Sequence, residues 1–599
     1  MVESKYTHSP PLYTPAPGLY TSADRFRAYI ETHYGVVLSD FAALHDFSIT
    51  HANDFWMALW RFFEHAKLNY AENLLIGEDD EIAIKSLTEE DLSCPQEVTW
   101  KDLRQSTASL ADAIKSSGFQ RQDVVTDLGA SALEARLAQL RPKFIFVEAS
   151  YQYNGKRHYV LDKVEKVLQR LTATNSTQVV VMGNLQEHSK HLNLDNFLKR
   201  GTGQPLQFEQ VPFNRPLVVM FSSGTTGAPK GIVHSHGGLV INGKKEHLLH
   251  NDFGSKDVYY HYTNITWALW NIVICALSCG TTIIMYDGSP FYPTPETFLE
   301  KMLATGVTAF GAGPKYYSEL QKRKLQPGTY PNKVDLLLST GAVLTPEQAE
   351  WLRESFGPIC QISFSGGTEL CGSFVHGSRS VPTYAGEIAV KALGMDVSVL
   401  SLDGEPVPDG ESGELVCRKP FPNMPVCFLH DSKRKRYFST YFETIPGVWT
   451  HGDFIKINPS TGGIYILGRS DGVLNPSGVR FGSSELYSVL ERSVFLFVKL
   501  NAALNGRLRE IEDDIRSAIG IDLSKRHIPE YIFEVDAIPY NVNGKKLEIP
   551  VKKILCWGPS TMSNLRVSAA EMKTLEPFVQ FYHVNSTSDH TAALDKARL

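Results

Sequence analysis

The sequence predicts an α/β protein: a large multi-subdomain N-terminal domain of mixed sheets and helices over residues 1–470, a small α+β C-terminal domain over 471–556, and a C-terminal tail over 557–599. Three observations carry this. A chain of 599 residues exceeds what one hydrophobic core organises, so two or more domains are expected. Short continuous apolar runs, most ending in Gly or Ser, alternate with amphipathic stretches, as buried and mostly parallel strands joined by helices do. From Gly413 to Ile466 the texture changes to short strand-like pieces, and after "LGRSDGV" a smaller unit begins, with a hinge placed at Asp471.

The elements follow in order. The opening "MVESKYTHSPPLYTPAPGLY" has no apolar core and does not read as a secretory signal. "KFIFVE", "QVVVMG", "PLVVMFSS", "TTIIMYDG", "VTAFGAG" and "VDLLLSTG" read as strands of the large body. Ile265 to Tyr286 carries no charge, but Gly280-Thr281-Thr282 divides it into a helix-like piece and a strand-like piece. Each is too short to cross roughly 30 Å of hydrocarbon, so a buried helix and a buried strand are expected. "GELVCRKPF", "VWTHGDFIKI" and "GGIYIL" read as a β-rich subdomain. In the small unit "VFLFVKL" and "YIFEV" read as strands, with Leu508–Ile519 as a helix between them. The tail beyond Cys556 is poorer in pattern and reads as loosely attached.

Composition excludes several classes. Net charge is −6 and the isoelectric point about 6.4, which leaves no electrostatic footprint for nucleic acid. The run Lys433-Arg434-Lys435-Arg436 is short and reads as solvated surface. Eight cysteines are scattered without a CxxC pair, which excludes zinc spacing and suits a reducing, cytoplasmic compartment.

The chemistry concentrates in "VVMFSSGTTGAPKGIVHSHGG", Val218 to Gly238, which holds five glycines, five hydroxyl side chains and one lysine. A strand that runs into a Gly-rich turn presents successive backbone N–H groups, and glycine lets that backbone approach an anion closely. Ser222, Ser223, Thr225 and Thr226 add donors around Gly224 and Gly227, and Lys230 adds charge, so a polyphosphate is the natural ligand. The P-loop pattern needs Gly before its lysine and Ser/Thr after it. Here Pro229 precedes Lys230 and Gly231 follows, so that pattern fails.

The string S-S-G-T-T-G-x-P-K-G instead resembles the phosphate loop of the adenylate-forming superfamily, which includes acyl-CoA synthetases, luciferases and peptide-synthetase adenylation domains. Its companions follow in order. "SFSGGTEL" resembles the family's aromatic/Gly/Thr/Glu segment, which implies nucleotide contacts at Gly366, Gly367 and Thr368 and a magnesium ligand at Glu369. "STGAVL" matches the segment along the adenine, implying Gly341 and Ala342. "VWTHGDFIKI" implies ribose binding by Asp453. "LGRSDGVLNPSGVRFGSSEL" implies Arg469 for ribose or phosphate, Asp471 as the hinge of a mobile small domain, Gly478 near the thiol tunnel and Arg480 for phosphate. "PYNVNGKKLEI" implies Lys545 as the mobile catalytic lysine, acting with Lys230 and Thr368. Across nearly the whole chain to Cys556, the stretches Arg25–Phe63, "WALWN", "MYDGSP", "GELVCRKPFPNMPV" and "VFLFVKL" resemble the acetoacetyl-CoA synthetase family. That resemblance implies acetoacetate, ATP and CoA as small-molecule substrates, Mg²⁺ as cofactor, and an acyl pocket lined by Trp267 and Trp270. Such a ligase would form acetoacetyl-CoA through an acyl-adenylate and release AMP and pyrophosphate.

The sequence departs from the pattern at three places. After "QRQDVV", ending at Val125, a strand, a helix and a further strand of the family pattern are missing. A second gap falls between Ser493 and Val494, and Thr266 stands where close relatives carry glycine before the pocket tryptophan. These leave open a ligase for another short-chain acid, a non-catalytic nucleotide-binding remnant, or a domain that loads a carrier-protein thiol, although no carrier segment is evident. The final Ala597-Arg598-Leu599 is a variant of the Ser-Lys-Leu peroxisome address.

Overall fold

The computed structural model describes residues 11–62, 68–120, 125–126, 133–170, 177–183, 191–222, 230–401, 403–470, 495–500 and 507–522. Between 528 and 585 it describes all but 530, 540–546, 548–549, 552–553, 556–557 and 566–568. The chain divides into two compact units, Met1–His451 with Ile455–Ile466, and Gly452–Phe454 with Leu467–Leu599. Asp471, the expected hinge, lies outside the described residues.

At the centre of the large unit is a seven-stranded sheet in the order Cys360–Ser363, Leu336–Ser339, Ala309–Gly311, Val258–His261, Thr282–Asp287, Ile82–Thr88 and Gln96–Thr99. The first six are parallel, and Gln96–Thr99 closes the edge antiparallel. Ile283, Ile284, Phe310 and Leu336 to Leu338 are buried, as strands covered on both faces require. Helices Pro295–Ala304, Pro314–Lys322 and Pro346–Phe356 each place proline in their first turn, where its missing N–H costs no hydrogen bond. A second, four-stranded sheet orders Val125–Thr126, Phe144–Glu148, Gln178–Met182 and Leu192–Asn193, all parallel. Its edge at Val125–Thr126 is two residues long, at the first sequence gap.

One expected parallel strand runs otherwise. Pro216–Ser222 pairs antiparallel with Lys230–Ser235, which in turn pairs with Cys427–Phe428. The reason is length: a parallel return needs a crossover of about a dozen residues or more, and the segment between Ser222 and Lys230 is shorter. The uncharged Ile265–Tyr286 stretch forms helix Ala268–Cys275, a 3₁₀ turn Ala276–Cys279 and strand Thr282–Asp287, separated at Gly280 with φ +75°. Among the described residues no helix is long and apolar enough to cross a membrane. The β-rich region forms a sheet ordered Val397–Leu400, Ser412–Cys417, Trp449–Ile457 and Ile464–Arg469.

In the small unit Phe495–Val498 pairs parallel with Tyr531–Glu534, and helix Leu508–Asp522 lies between them in sequence. The second gap falls at its edge, in residues outside those described. The described part of the stretch expected as a loose tail, from 558 to 585, contributes to this core. Leu575, Phe578 and Phe581 are buried with Phe533, Val535, Ile554 and Leu555. Sequence pattern misses this because Ala569–Leu575 and Glu576–Asn585 are short, and their buried Leu575, Phe578 and Phe581 follow the three-residue period of a 3₁₀ turn rather than that of an α-helix.

Candidate active site

The glycine-rich loop is suspended from an antiparallel hairpin whose last described residues, Ser222 and Lys230, are cross-strand partners. Ser222 Oγ is buried and has no hydrogen-bond partner among the described residues. The Lys230 Nζ stands 5.3 Å from the centre of the Phe428 ring. Ser223, Gly224, Thr225, Thr226 and Gly227 lie outside the described residues.

The strand of Lys230 also reaches the second motif. Four residues on, the buried His234 contacts the carbonyl of Thr368 through Nε2 at 2.9 Å. Burial lowers the His234 pKa to about 4, so the ring is neutral at physiological pH and Nε2–H donates. Gly366 and Gly367 lie on the short strand Ser365–Gly367, which turns through Thr368 and Glu369 into Gly372–His376. A Cβ on Gly366 would sit 1.9 Å from the Gly372 carbonyl oxygen, so only glycine allows this pairing. A Cβ on Gly367 would stand 2.7 Å from Glu369 Oε2 and 3.2 Å from the His451 ring, which brings that carboxylate back over the motif's own backbone. Thr368 and Glu369 are half-buried.

Gly341 and Ala342 follow directly from the carboxyl end of Leu336–Ser339, where ligands of open parallel sheets bind. Both are exposed, and Gly341 has φ +88°. A Cβ there would meet the Trp267 ring at 2.9 Å, so the segment expected along the adenine and the tryptophan expected in the acyl pocket are neighbours. Trp267 is the N-cap of helix Ala268–Cys275 and is 38% exposed, so its ring is not core filler; Trp270 is half-buried one turn on. Thr266 is exposed and donates through Oγ1 to Asn264 Oδ1 at 2.7 Å. Ser339 Oγ is a second buried hydroxyl without a partner among the described residues.

Asp453 is buried on Trp449–Ile457, two residues beyond His451 along the same strand. Arg469 ends the strand Ile464–Arg469. Asp471, Gly478, Arg480 and Lys545 lie outside the described residues. The described residues therefore tie the strand of Ser222 and Lys230 to the turn of Thr368 and Glu369 through His234, and separately bring Gly341 against Trp267.

Four anchoring residues were not expected from sequence. Besides His234, Asn423 donates to the Leu370 carbonyl, Asn242 to the Cys371 carbonyl, and Glu246 accepts from Ser373. His234 and Asn242 lie in or beside the glycine-rich stretch, yet nothing local marks them, because their partners are more than a hundred residues away.

The Ser222 and Ser339 hydroxyls, buried without partners among the described residues, a half-buried carboxylate over a glycine backbone, and an exposed Gly-Ala segment under an indole are groups of the kind a magnesium-bound nucleotide takes. The AMP-binding enzyme family matches residues 124–425. The acetoacetyl-CoA synthetase of Rattus norvegicus is 36% identical over 621 aligned positions, covering 89% of this chain and 92% of that protein. Because 89% of 599 residues falls short of 621 positions, that alignment passes through gaps on this chain's side. The malonamoyl-CoA synthetase vrtB of Penicillium aethiopicum is 32% identical, covering 88% of this chain and 87% of its own. The solved acetoacetyl-CoA synthetase from Streptomyces lividans superposes with a TM-score of 0.76 at 30% identity, covering 96% of this chain and all of that one. The chain belongs to the AMP-binding enzyme family, and its near-full-length relatives there are acyl-CoA synthetases.

Proposed function

We propose that the chain is an acetoacetate–CoA ligase that works in two steps. In the first, a carboxylate oxygen of acetoacetate attacks the α-phosphorus of ATP, the bond from that phosphorus to the bridging oxygen breaks, and pyrophosphate leaves. In the second, the CoA thiolate attacks the acyl carbonyl of the adenylate, and AMP leaves as its phosphate oxygen takes the bonding pair. The observation that carries this reading is the His234 link, which ties the strand of Lys230 to the turn of Thr368 and Glu369.

In the first step Ser222, Ser223, Gly224, Thr225, Thr226 and Gly227, with Lys230, hold the β- and γ-phosphates by backbone donors, hydroxyls and charge. Glu369 would hold Mg²⁺, which when bound neutralises phosphate charge. Gly341, Ala342, Gly366 and Gly367 give the adenine a backbone it can approach closely, and Asp453 accepts from the ribose hydroxyls, with Arg469 beside the ribose or phosphate and Arg480 beside the phosphate. Lys545 bridges the attacking and departing oxygens, so the residues supply positioning and electrostatic stabilisation. The small domain then turns about Asp471, withdrawing Lys545 and opening the path past Gly478 to CoA.

Acetoacetate is favoured by the relatives, and Trp267 and Trp270 suit a short acyl group because large rings fill the space a long chain needs. Thr266 favours a second reading in which another short acid is taken. Acid-dependent pyrophosphate release across C2–C6 acids, malonamate included, separates the two: acetoacetate should give the highest kcat/KM, and a higher value for any other acid sinks the first reading. A two-residue strand at the first gap favours a third, a nucleotide-binding remnant without turnover. Its signature is a higher Tm with ATP and no AMP formed with any acid. For location, Ala597-Arg598-Leu599 supports peroxisomal import alongside the cytosol, and a fluorescent fusion to the last twelve residues that stays diffuse would dispose of it.

A further inference from the structure

Behind the Gly366–Glu369 turn lies a fully buried ionic group. Helix His236–Lys244 passes into a π-helical turn, Lys245–His250, whose wider winding recurs at functional sites. Lys245 and Glu246 are both buried, with Nζ 3.6 Å from Oε1. That same Glu246 oxygen accepts from the backbone N–H and the hydroxyl of Ser373, each at 2.7 Å. Beside it, Asn242 Nδ2 donates to the Cys371 carbonyl at 3.2 Å. A Cβ on Gly372 would sit 2.2 Å from Asn242 Nδ2 and 2.8 Å from Glu246 Oε1, so the two side chains occupy the space that any other residue would need. The strand they clamp is the one on which the motif is built, because Gly372 pairs with Gly367 and Ser373 with Gly366. Burial works against the charge on Glu246, but Lys245 and the Ser373 donors outweigh it and hold its carboxyl below the usual carboxylate range.

Stability alone does not account for this arrangement. A buried ion pair is on average no more stabilising than apolar residues of the same volume. What an apolar pair lacks is an acceptor that takes the N–H and O–H of one residue together and so sets where the strand lies. We propose that Glu246, seconded by Asn242, is a positioning residue of the adenylation site, holding Gly372 and Ser373 so that Gly366 to Glu369 meet the phosphates and Mg²⁺ in place. This rests on the reading of Thr368 and Glu369 given above.

The test uses the full-length enzyme and acid-dependent pyrophosphate release, measured against MgATP and against acetoacetate. Removing Glu246 alone would strand the Lys245 charge, so the variants are paired. Lys245→Met with Glu246→Leu removes both charges and the acceptor. Lys245→Met with Glu246→Gln removes the charges but keeps an amide oxygen. The first pair is expected to raise KM for MgATP about tenfold, the scale of losing an outer-shell partner, while KM for acetoacetate changes less than about twofold. The second pair should recover most of the loss. Ser373→Ala, which removes one donor and leaves both charges paired, should shift MgATP in the same direction by about threefold and keeps the test open if the first pair does not fold.

An unchanged MgATP dependence in Ser373→Ala, or in a folded Leu pair, overturns the proposal. Equal loss in the Gln and Leu pairs also overturns it, since the acceptor would then be irrelevant. Glu369→Gln is the separate arm. If it leaves MgATP dependence unchanged, the magnesium reading has failed; if it shifts while the Glu246 variants do not, only the positioning role has failed.

Discussion

Between Ser222 and Lys230, glycine comes with hydroxyls, and the described ends of the segment are joined as cross-strand partners. From Gly366 to Ser373 the chain is held along its length instead, by His234, Asn423, Asn242 and Glu246 acting on Thr368, Leu370, Cys371 and Ser373. In the first stretch the proposed use of glycine is to bring backbone donors to an anion. The second uses it because no Cβ fits, with the Gly372 carbonyl 1.9 Å from where one would stand on Gly366. A glycine cluster can therefore signal either a ligand or a close backbone crossing, and here the strand that follows the first cluster contacts the turn of the second through His234.

The largest effect expected is from Lys545→Ala, which lies in neither stretch of the sequence. It should lower adenylation about 10²–10³-fold, as losing one preorganised electrostatic donor does. Thioester formation from pre-formed adenylate should be much less affected, and equal losses in both steps would refute the assignment. Gly366→Ala breaks the second stretch directly. The methyl must displace the Gly372 strand, so kcat/KM for MgATP should fall about 10²-fold together with a lower Tm. Wild-type kinetics there would show that the crossing has room.

Acid sharpens the link between the stretches. His234, His376 and His261 are buried neutral, with pKa values lowered to about 4, about 4 and about 3 by burial. Each binds its proton in the unfolded chain near pH 6.5 but not in the folded one, so their stability contribution is complete above pH 6.5. It is lost as pH falls toward 4, by about 1.4 kcal/mol per pH unit for each ring. Denaturant midpoints between pH 7 and 4.5 should show that slope. His234→Gln, which keeps an N–H donor, should reduce it by one proton, and an unaltered slope would mean His234 is not among the groups responsible. The smallest effect is Gly341→Ala. Its φ of +88° and the Trp267 ring at 2.9 Å should raise KM for ATP about fivefold, with kcat nearly unchanged.

Much of this was legible locally. The apolar runs at Thr281–Gly288, Val307–Gly313 and Val334–Gly341 became buried parallel strands, because continuous hydrophobicity over so few residues suits burial on both faces. The break at Gly280 was visible because glycine takes the left-handed turn that a helix end needs. Pro216–Ser222 looked the same in composition and yet ran antiparallel, since composition carries burial but strand direction depends on the length of the return. The residues from 575 to 581 were unreadable as core for a related reason: Leu575, Phe578 and Phe581 recur every three residues, the period of a 3₁₀ turn, over a run too short to register as an amphipathic helix.

By itself the sequence determined the chemistry on offer: a run of backbone donors and hydroxyls ending in one lysine, a Thr-Glu pair after two glycines, and two tryptophans three residues apart in an uncharged stretch. Each of those signals lies within a few residues, where spacing alone dictates what the groups can do. Tertiary structure alone decided how these pieces are held. His234, Asn242, Glu246 and Asn423 became the anchors of the Thr368–Ser373 turn only because folding buried them against carbonyls and N–H groups far along the chain. Once out of water, each had to find a partner.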